Sequence, residues 1–241
     1  MPRLGVNVDH VATLRQQRRG VLPSPLWAAM EAQRAGCDAV VCHLREDRRH
    51  IQDEDLWELS KGFRIKFNLE MSAHPEIVRV ACRVRPDQVT LVPERRRELT
   101  TEGGLDLRRN RTKIQEALRR FRSIRIRIAL FIDPDPVQIR WASQLGVQIV
   151  ELHTGRYALV QTKPQMQREM RRLKESVECA RSLGLIVAAG HGLTYENVKP
   201  VAGIHGISEL NIGFSIVARA IETGFYKAVR EMVKLIHGVR S

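Results

Sequence analysis

The sequence predicts an α/β fold of the TIM (β/α)8-barrel type, a single domain over residues 1–241 with room for extra helices. Three observations predict it. Short apolar runs alternate with helical patterns along the whole chain, which argues for βα units and a parallel sheet. A chain of 241 residues suits one such barrel, which usually runs to about 250 residues. Polar residues also recur at the ends of the apolar runs, where barrel chemistry gathers. A doubly wound open sheet is the structural alternative, but no Gly-x-Gly-x-x-Gly follows the first run.

Taken in order, strands are expected at Leu4–Val8, Ala39–His43, Ile65–Met71, Gln88–Val92, Arg125–Ile132, Gln148–His153, Leu185–Ala189 and Glu209–Ile212. Val40 to Cys42, Val89 to Val92 and Ile128 to Ile132 are nearly continuous apolar runs, as strands buried on both faces should be. The first helical pattern, Pro25–Arg34, follows Ser24, a good N-cap, and stops before Gly36. Pro75–Val84 and Pro136–Leu145 begin with proline at a first helical position, and Gln165–Leu183 is the longest pattern. Gly36, Gly146 and Gly184 close helices just before a strand, where a left-handed residue turns the chain back. The stretch from Pro93 to Leu107 is long, charged and glycine-containing, the composition of a functional loop.

Composition excludes several classes. No apolar run approaches the roughly 18 residues of a membrane span, and the N-terminus carries no signal-peptide core, so a cytoplasmic protein is expected. Cys37, Cys42, Cys82 and Cys179 form neither a CxxC pair nor zinc-finger spacing and read as small buried hydrophobes in a reducing compartment. The net charge of +13 attracts anions. Much of it is arginine on helical segments, as at Arg108, Arg109, Arg111, Arg119, Arg120 and Arg122, and aromatics make up only 5%. Solvated helix faces explain that pattern better than a base-stacking surface does. No nucleic acid or membrane partner is expected.

The strand ends carry the chemistry. Asn7, Asp9 and His10 close the first run, His43 and Arg45 the second, and Asn68 and Glu70 the third. Glu151 and His153 close the sixth, Gly190-His191-Gly192 follows the seventh, and Asn211 ends the eighth. One such residue is readily a satisfied structural group; six strand ends of this kind are not. Period-two alternation puts Lys66, Asn68 and Glu70 on one face, with Glu70 nearest the mouth and Lys66 deeper. Glu70, His43 and His191 suit proton transfer, because desolvation moves a glutamate toward neutrality and histidine starts there. The same residue types hold metals in other barrels, but no HxH or HExxH spacing occurs and no metal is expected. For phosphate, Gly213-Phe214-Ser215 opens a helical pattern over Ser215–Glu222 after the eighth strand, a usual anion site in barrels. The basic run from Arg45 to His50 offers a second, with Arg45 nearest the strand end and Arg48 and Arg49 open to a reading as solvated charge.

Seven segments in order then resemble the pyridoxine 5′-phosphate synthase family. They are Gly5–His10, His43–His50, Asn68–Met71, Thr100–Gly104, Glu151–Gly155, Ala189–Tyr195 and Glu209–Gly213, and the resemblance runs from Leu4 to about Leu235. It implies a ring-closing condensation of 3-amino-2-oxopropyl phosphate with 1-deoxy-D-xylulose 5-phosphate, with no metal or organic cofactor. It implies His43, Glu70 and His191 as acid/base residues and Glu151 as a group supporting the transition state. Asp9, His10, Arg45, His50 and Thr100 match contacts to the deoxyxylulose phosphate. Asn7, Arg18, Gly192, Gly213 and Phe214 match contacts to the amino-ketone phosphate. Residues 15–19 read Arg-Gln-Gln-Arg-Arg, so Arg19 competes with Arg18 for its role, and Phe214 stands where relatives carry histidine. The segment Thr100–Gly104 resembles a closing lid, and the family implies a homo-octamer. Two other readings compete: a phosphosugar aldolase or isomerase with Lys66 as a Schiff-base lysine, and a basic nucleic-acid-binding protein with steeply salt-dependent binding.

Overall fold

The computed structural model describes residues 1–94 and 103–239, and in it eight parallel strands close into a barrel in sequence order. They are β1 (Arg3–Asn7), β2 (Ala39–Leu44), β3 (Lys66–Met71), β4 (Gln88–Leu91), β5 (Arg127–Ile132), β6 (Ile149–His153), β7 (Ile186–Gly190) and β8 (Ile207–Ile212), with β8 pairing back onto β1. After β1 come α1 (Asp9–Gln16) and α2 (Pro25–Arg34), then α3 (Asp53–Gly62) after β2, α4 (Pro75–Val84) after β3 and α5 (Arg111–Ser123) after β4. Next, α6 (Pro136–Gln144) follows β5, while α7 (Gly155–Ala158) and α8 (Lys163–Ser182) follow β6. The last are α9 (Val198–Ala202) after β7 and α10 (Phe214–Thr223) with α11 (Phe225–His237) after β8.

The expected strands are all present, with their ends moved by a residue or two. The largest shifts have local causes. β5 starts at Arg127 because Arg125 sits at φ 60°, in the left-handed region that no strand residue occupies. β8 begins at Ile207, ahead of Glu209, because a register shift opposite Val187 and Ala188 lets Ile207 pair early. Ser24 caps α2 through its side chain, and Gly36 takes φ 91° beyond its end. Helices α1, α3, α7, α9 and α11 were not foreseen, and α5 was read only as an arginine-bearing helical segment without bounds; α5 and α11 bury a helical stripe under a basic or mixed surface.

Side-chain alternation divides each strand. Leu4, Val6, Val40, Cys42, Leu44, Leu69, Val89, Leu130, Val150, Leu210 and their neighbours pack outward in one cluster with the helices. The opposite set faces the barrel axis and is rich in polar residues, namely Lys66, Asn68 and Glu70 on β3, Gln88 and Thr90 on β4, Glu151 on β6, and Glu209 and Asn211 on β8, beside apolar Val41, Ala129 and Phe131. Barrel interiors are ordinarily filled by branched apolar residues. Here several of the polar groups pair with one another, while Asn68 Nδ2 and Asn211 Oδ1 find no protein partner among the described residues. Lys66 Nζ lies 2.5 Å from Glu209 Oε1 low in the barrel, and Thr90 donates to Asn68 Oδ1 at 2.8 Å. Glycines make the room: a Cβ on Gly5 would stand 2.2 Å from Asn211 Oδ1, and one on Gly190 2.4 Å from Glu151 Oε1.

Candidate active site

Turn and cap chemistry at the strand ends aims the polar residues into one cavity of about 750 Å³ at the C-terminal mouth. Asp9 joins β1 to β2: its Oδ1 accepts the His43 backbone N–H at 2.7 Å, and its Oδ2 accepts Asn7 Nδ2 at 2.9 Å. His50 is held from behind, its carbonyl accepting Arg15 Nη2 at 3.1 Å. Arg15 is itself locked to Asp55 by contacts of 2.5 and 2.7 Å, a buried pair that ties α1 to α3. Asn211 Nδ2 donates to Glu151 Oε2 at 2.7 Å. His10 meets the exposed Phe214 ring edge-on, with centroids 5.2 Å apart.

Asn7, Asp9, His10, His43, Arg45, His50, Glu70, Glu151, His191, Gly192, Gly213 and Phe214 all line this cavity. Arg18 and Arg19 do not: both lie in the exposed turn after α1, whose backbone folds back onto Arg15 and Gln16. Thr13 and Gln17, four residues apart on and just beyond α1, face the cavity instead. Thr100 falls outside the described residues. Arg48 pairs outward with Asp53 and Glu76, whereas Arg49 reaches the cavity wall. Sequence reasoning also missed Glu94, just beyond β4. Its Oε1 accepts the Glu46 N–H at 2.7 Å, and its Oε2 lies 3.8 Å from His43 Nε2. Burial alone would raise the Glu94 carboxyl, but His43, the Glu46 N–H and Arg45 outweigh it and hold it below the ordinary value.

Protons in the cavity are held in opposite senses. Burial, Glu151 and Asp9 push Glu70 well above the usual carboxylate range. Burial lifts Glu151 to about 7 despite the Asn211 hydrogen bond. His191 is driven down to about 4 by burial and by neighbouring His153 and His10. Glu70 is thus biased toward its protonated form, while His191 is biased toward the free base. Carboxyl and imidazole groups displaced in this way assign themselves acid and base roles.

Among the described residues, Asp9, His43 and Glu70 have potential ligand atoms within 4.8 Å of one another. Both Asp9 oxygens are already engaged, and Glu70 is held toward its protonated form. That donor set suits proton sharing better than a cation. Lys66, paired with Glu209, is poorly placed to attack a carbonyl.

Fold and cavity together define a TIM-barrel enzyme with its acids and imidazoles at the strand ends. The chain belongs to the family described as pyridoxal phosphate biosynthesis protein PdxJ, whose sequence model matches residues 4–238. A pyridoxine 5′-phosphate synthase of Synechococcus sp. is 53% identical over 96% of this chain and 97% of its own length. Another, of Pelobacter propionicus, is 50% identical over 98% of this chain and 99% of its own. Among solved structures, the YdjI aldolase of Escherichia coli K12 superposes with a TM-score of 0.63 at 15% identity, covering 99% of this chain and 92% of that one. Phosphoribosyl anthranilate isomerase from Thermus thermophilus gives 0.61 at 14% identity, covering 99% and 100%. At those identities they attest the barrel and nothing more.

Proposed function

We propose that this chain is a pyridoxine 5′-phosphate synthase of vitamin B6 biosynthesis. It would condense 3-amino-2-oxopropyl phosphate with 1-deoxy-D-xylulose 5-phosphate to pyridoxine 5′-phosphate, phosphate and water. The observation that carries this reading beyond family membership is the meeting of Glu70, Glu151, His43 and His191 in one cavity, with Glu70 held above and His191 below its ordinary range. Joining an amine to a ketone, eliminating water and closing a ring require protons to be given and taken in one place. Glu70 donates first, His191 accepts, and Glu151, poised at about 7, supports the charge that develops between them. His43, backed by Glu94, is the third proton carrier.

Two phosphorylated substrates require two anion sites. Arg45, His50, His10 and Asp9 would receive the deoxyxylulose phosphate, with Thr100 joining them. Gly192, Gly213 and Phe214 at the start of α10, with Asn7, would receive the amino-ketone phosphate, where backbone N–H groups suit a phosphate even with phenylalanine at 214. An arginine contact from residue 18 requires the turn after α1 to swing inward. On the same reading the enzyme is a cytoplasmic homo-octamer needing no metal or organic cofactor, with no nucleic acid or membrane partner.

Substrate dependence tests the proposal against the aldolase alternative. Turnover should require both phosphorylated compounds, and borohydride should trap no substrate on a lysine. Cleavage of a single phosphosugar with a trapped lysine adduct would replace the synthase reading with the aldolase one.

A further inference from the structure

The cavity is backed by a histidine that does not line it. His153 ends β6 on the inward face and is only 4% exposed. Its ring lies behind two cavity residues, with centroids 5.1 Å from His191 and 5.2 Å from Phe131. His153 Nδ1 is 3.2 Å from Asp133 Oδ1, just beyond the end of β5. A carboxylate there fixes the tautomer: Nδ1 carries the proton and donates it, and the ring cannot flip without losing the bond. The same Asp133 oxygen accepts the Gly104 N–H at 3.1 Å.

His191 needs such a support. It sits at φ 80°, a conformation that costs a residue with a Cβ and persists only where surroundings over-determine it. The two residues after His153 contribute to that. Thr154 Oγ1 lies 2.8 Å from the Gly190 carbonyl and 2.6 Å from that of His191, so its proton clamps the peptide on either side. Its backbone N–H also donates to Gly190 at 2.8 Å. A Cβ on Gly155 would stand 2.4 Å from His153 Nε2 and 3.3 Å from His191 Cδ2, so only glycine leaves room for both rings. His153, Thr154 and Gly155 thus form one continuous seat beneath His191.

We propose that Asp133 and His153 are a positioning dyad that fixes the ring of His191 for its part in the reaction. The proposal rests on the reading of His191 as an acid/base residue. Neither member of the dyad lines the cavity; Asp133 acts on His153, and His153 acts on His191.

Two variants separate positioning from packing. Asp133→Asn keeps the side-chain shape and removes the charge, and His153→Phe keeps a ring while losing the hydrogen bond. Each should lower kcat by roughly ten- to a hundredfold, the scale on which a small misplacement of a reacting group acts, with KM for both substrates unchanged. The ring-nitrogen resonances of His191, followed by NMR in isotope-labelled protein, should shift in both. Wild-type kcat with unmoved His191 resonances in folded Asp133→Asn protein overturns the proposal. Asp133, 32% exposed at its side chain, is the safer substitution and decides the matter if His153→Phe does not fold. His191→Gln is measured alongside: undiminished turnover there removes His191 from the chemistry, while the NMR result in the dyad variants still reports on positioning.

Discussion

Glu151 shows at the scale of one residue how burial becomes chemistry. Its carboxyl is held near 7 against an ordinary 4.5, with burial as the largest cause and Glu209 adding to it. A raised native pKa means that the folded state binds the proton more tightly than the unfolded chain does. The resulting stability is complete below 4.5 and is lost as pH rises through about 7. The stability advantage of the wild type over Glu151→Gln should therefore shrink across that interval in urea titrations; a difference independent of pH would contradict the shift. Glu70, His43 and His191 were legible in the sequence because each ends an apolar run, and strand ends in a barrel face the mouth. Glu94 and Asp133 were not, because both lie in connections whose return path no periodicity records. Phe214, named from the resemblance as a contact to the amino-ketone phosphate, lines the cavity, whereas Arg18, named on the same ground, is exposed and not part of its lining.

Among the elements, α1 and α3 carry their importance in one ion pair. Arg15 and Asp55 are buried against each other, Asp55 also accepts the Gln52 N–H at 2.8 Å, and Arg15 holds the His50 carbonyl. Removing one partner leaves a buried charge alone, which costs about 3 kcal/mol or more. Asp55→Ala should lower the unfolding free energy by about that amount; a change under about 1 kcal/mol would class the pair with exposed surface bridges. Neither helix was read from the sequence: α1 runs on directly from β1 without a capping side chain, and α3 follows Gln52, which is outside the residues that usually mark an N-cap. The proline-led helices α4 and α6 were found to within a residue because proline and an accepting side chain before it mark a helix start.

For the whole molecule, the charge of +13 is spread rather than focused. Arg108, Arg109, Arg111, Arg119, Arg120 and Arg122 are all exposed on or before α5, as a solvated face requires. A net positive charge of this kind attracts anions in general and singles out no site for them. Barrel closure brings β1, β2, β3, β6, β7 and β8 to a single rim, so that residues as distant in sequence as Asp9 and His191 share a cavity. The sequence order of strands was readable, and so was the polar face of β3 at Lys66, Asn68 and Glu70; the polar partners that β4 and β8 add, Gln88, Thr90 and Glu209, were not, since runs buried on both faces conceal which side faces the axis. Among the described residues no helix is long and apolar enough to cross a membrane. The most direct measurement is pyridoxine 5′-phosphate and phosphate formation from the two substrates by purified, metal-stripped protein, with Glu70→Gln beside it. Wild-type protein should release both products together, and the folded Glu70→Gln variant neither. No product from folded wild-type protein, with or without added divalent metal, would leave the barrel standing and contradict the synthase.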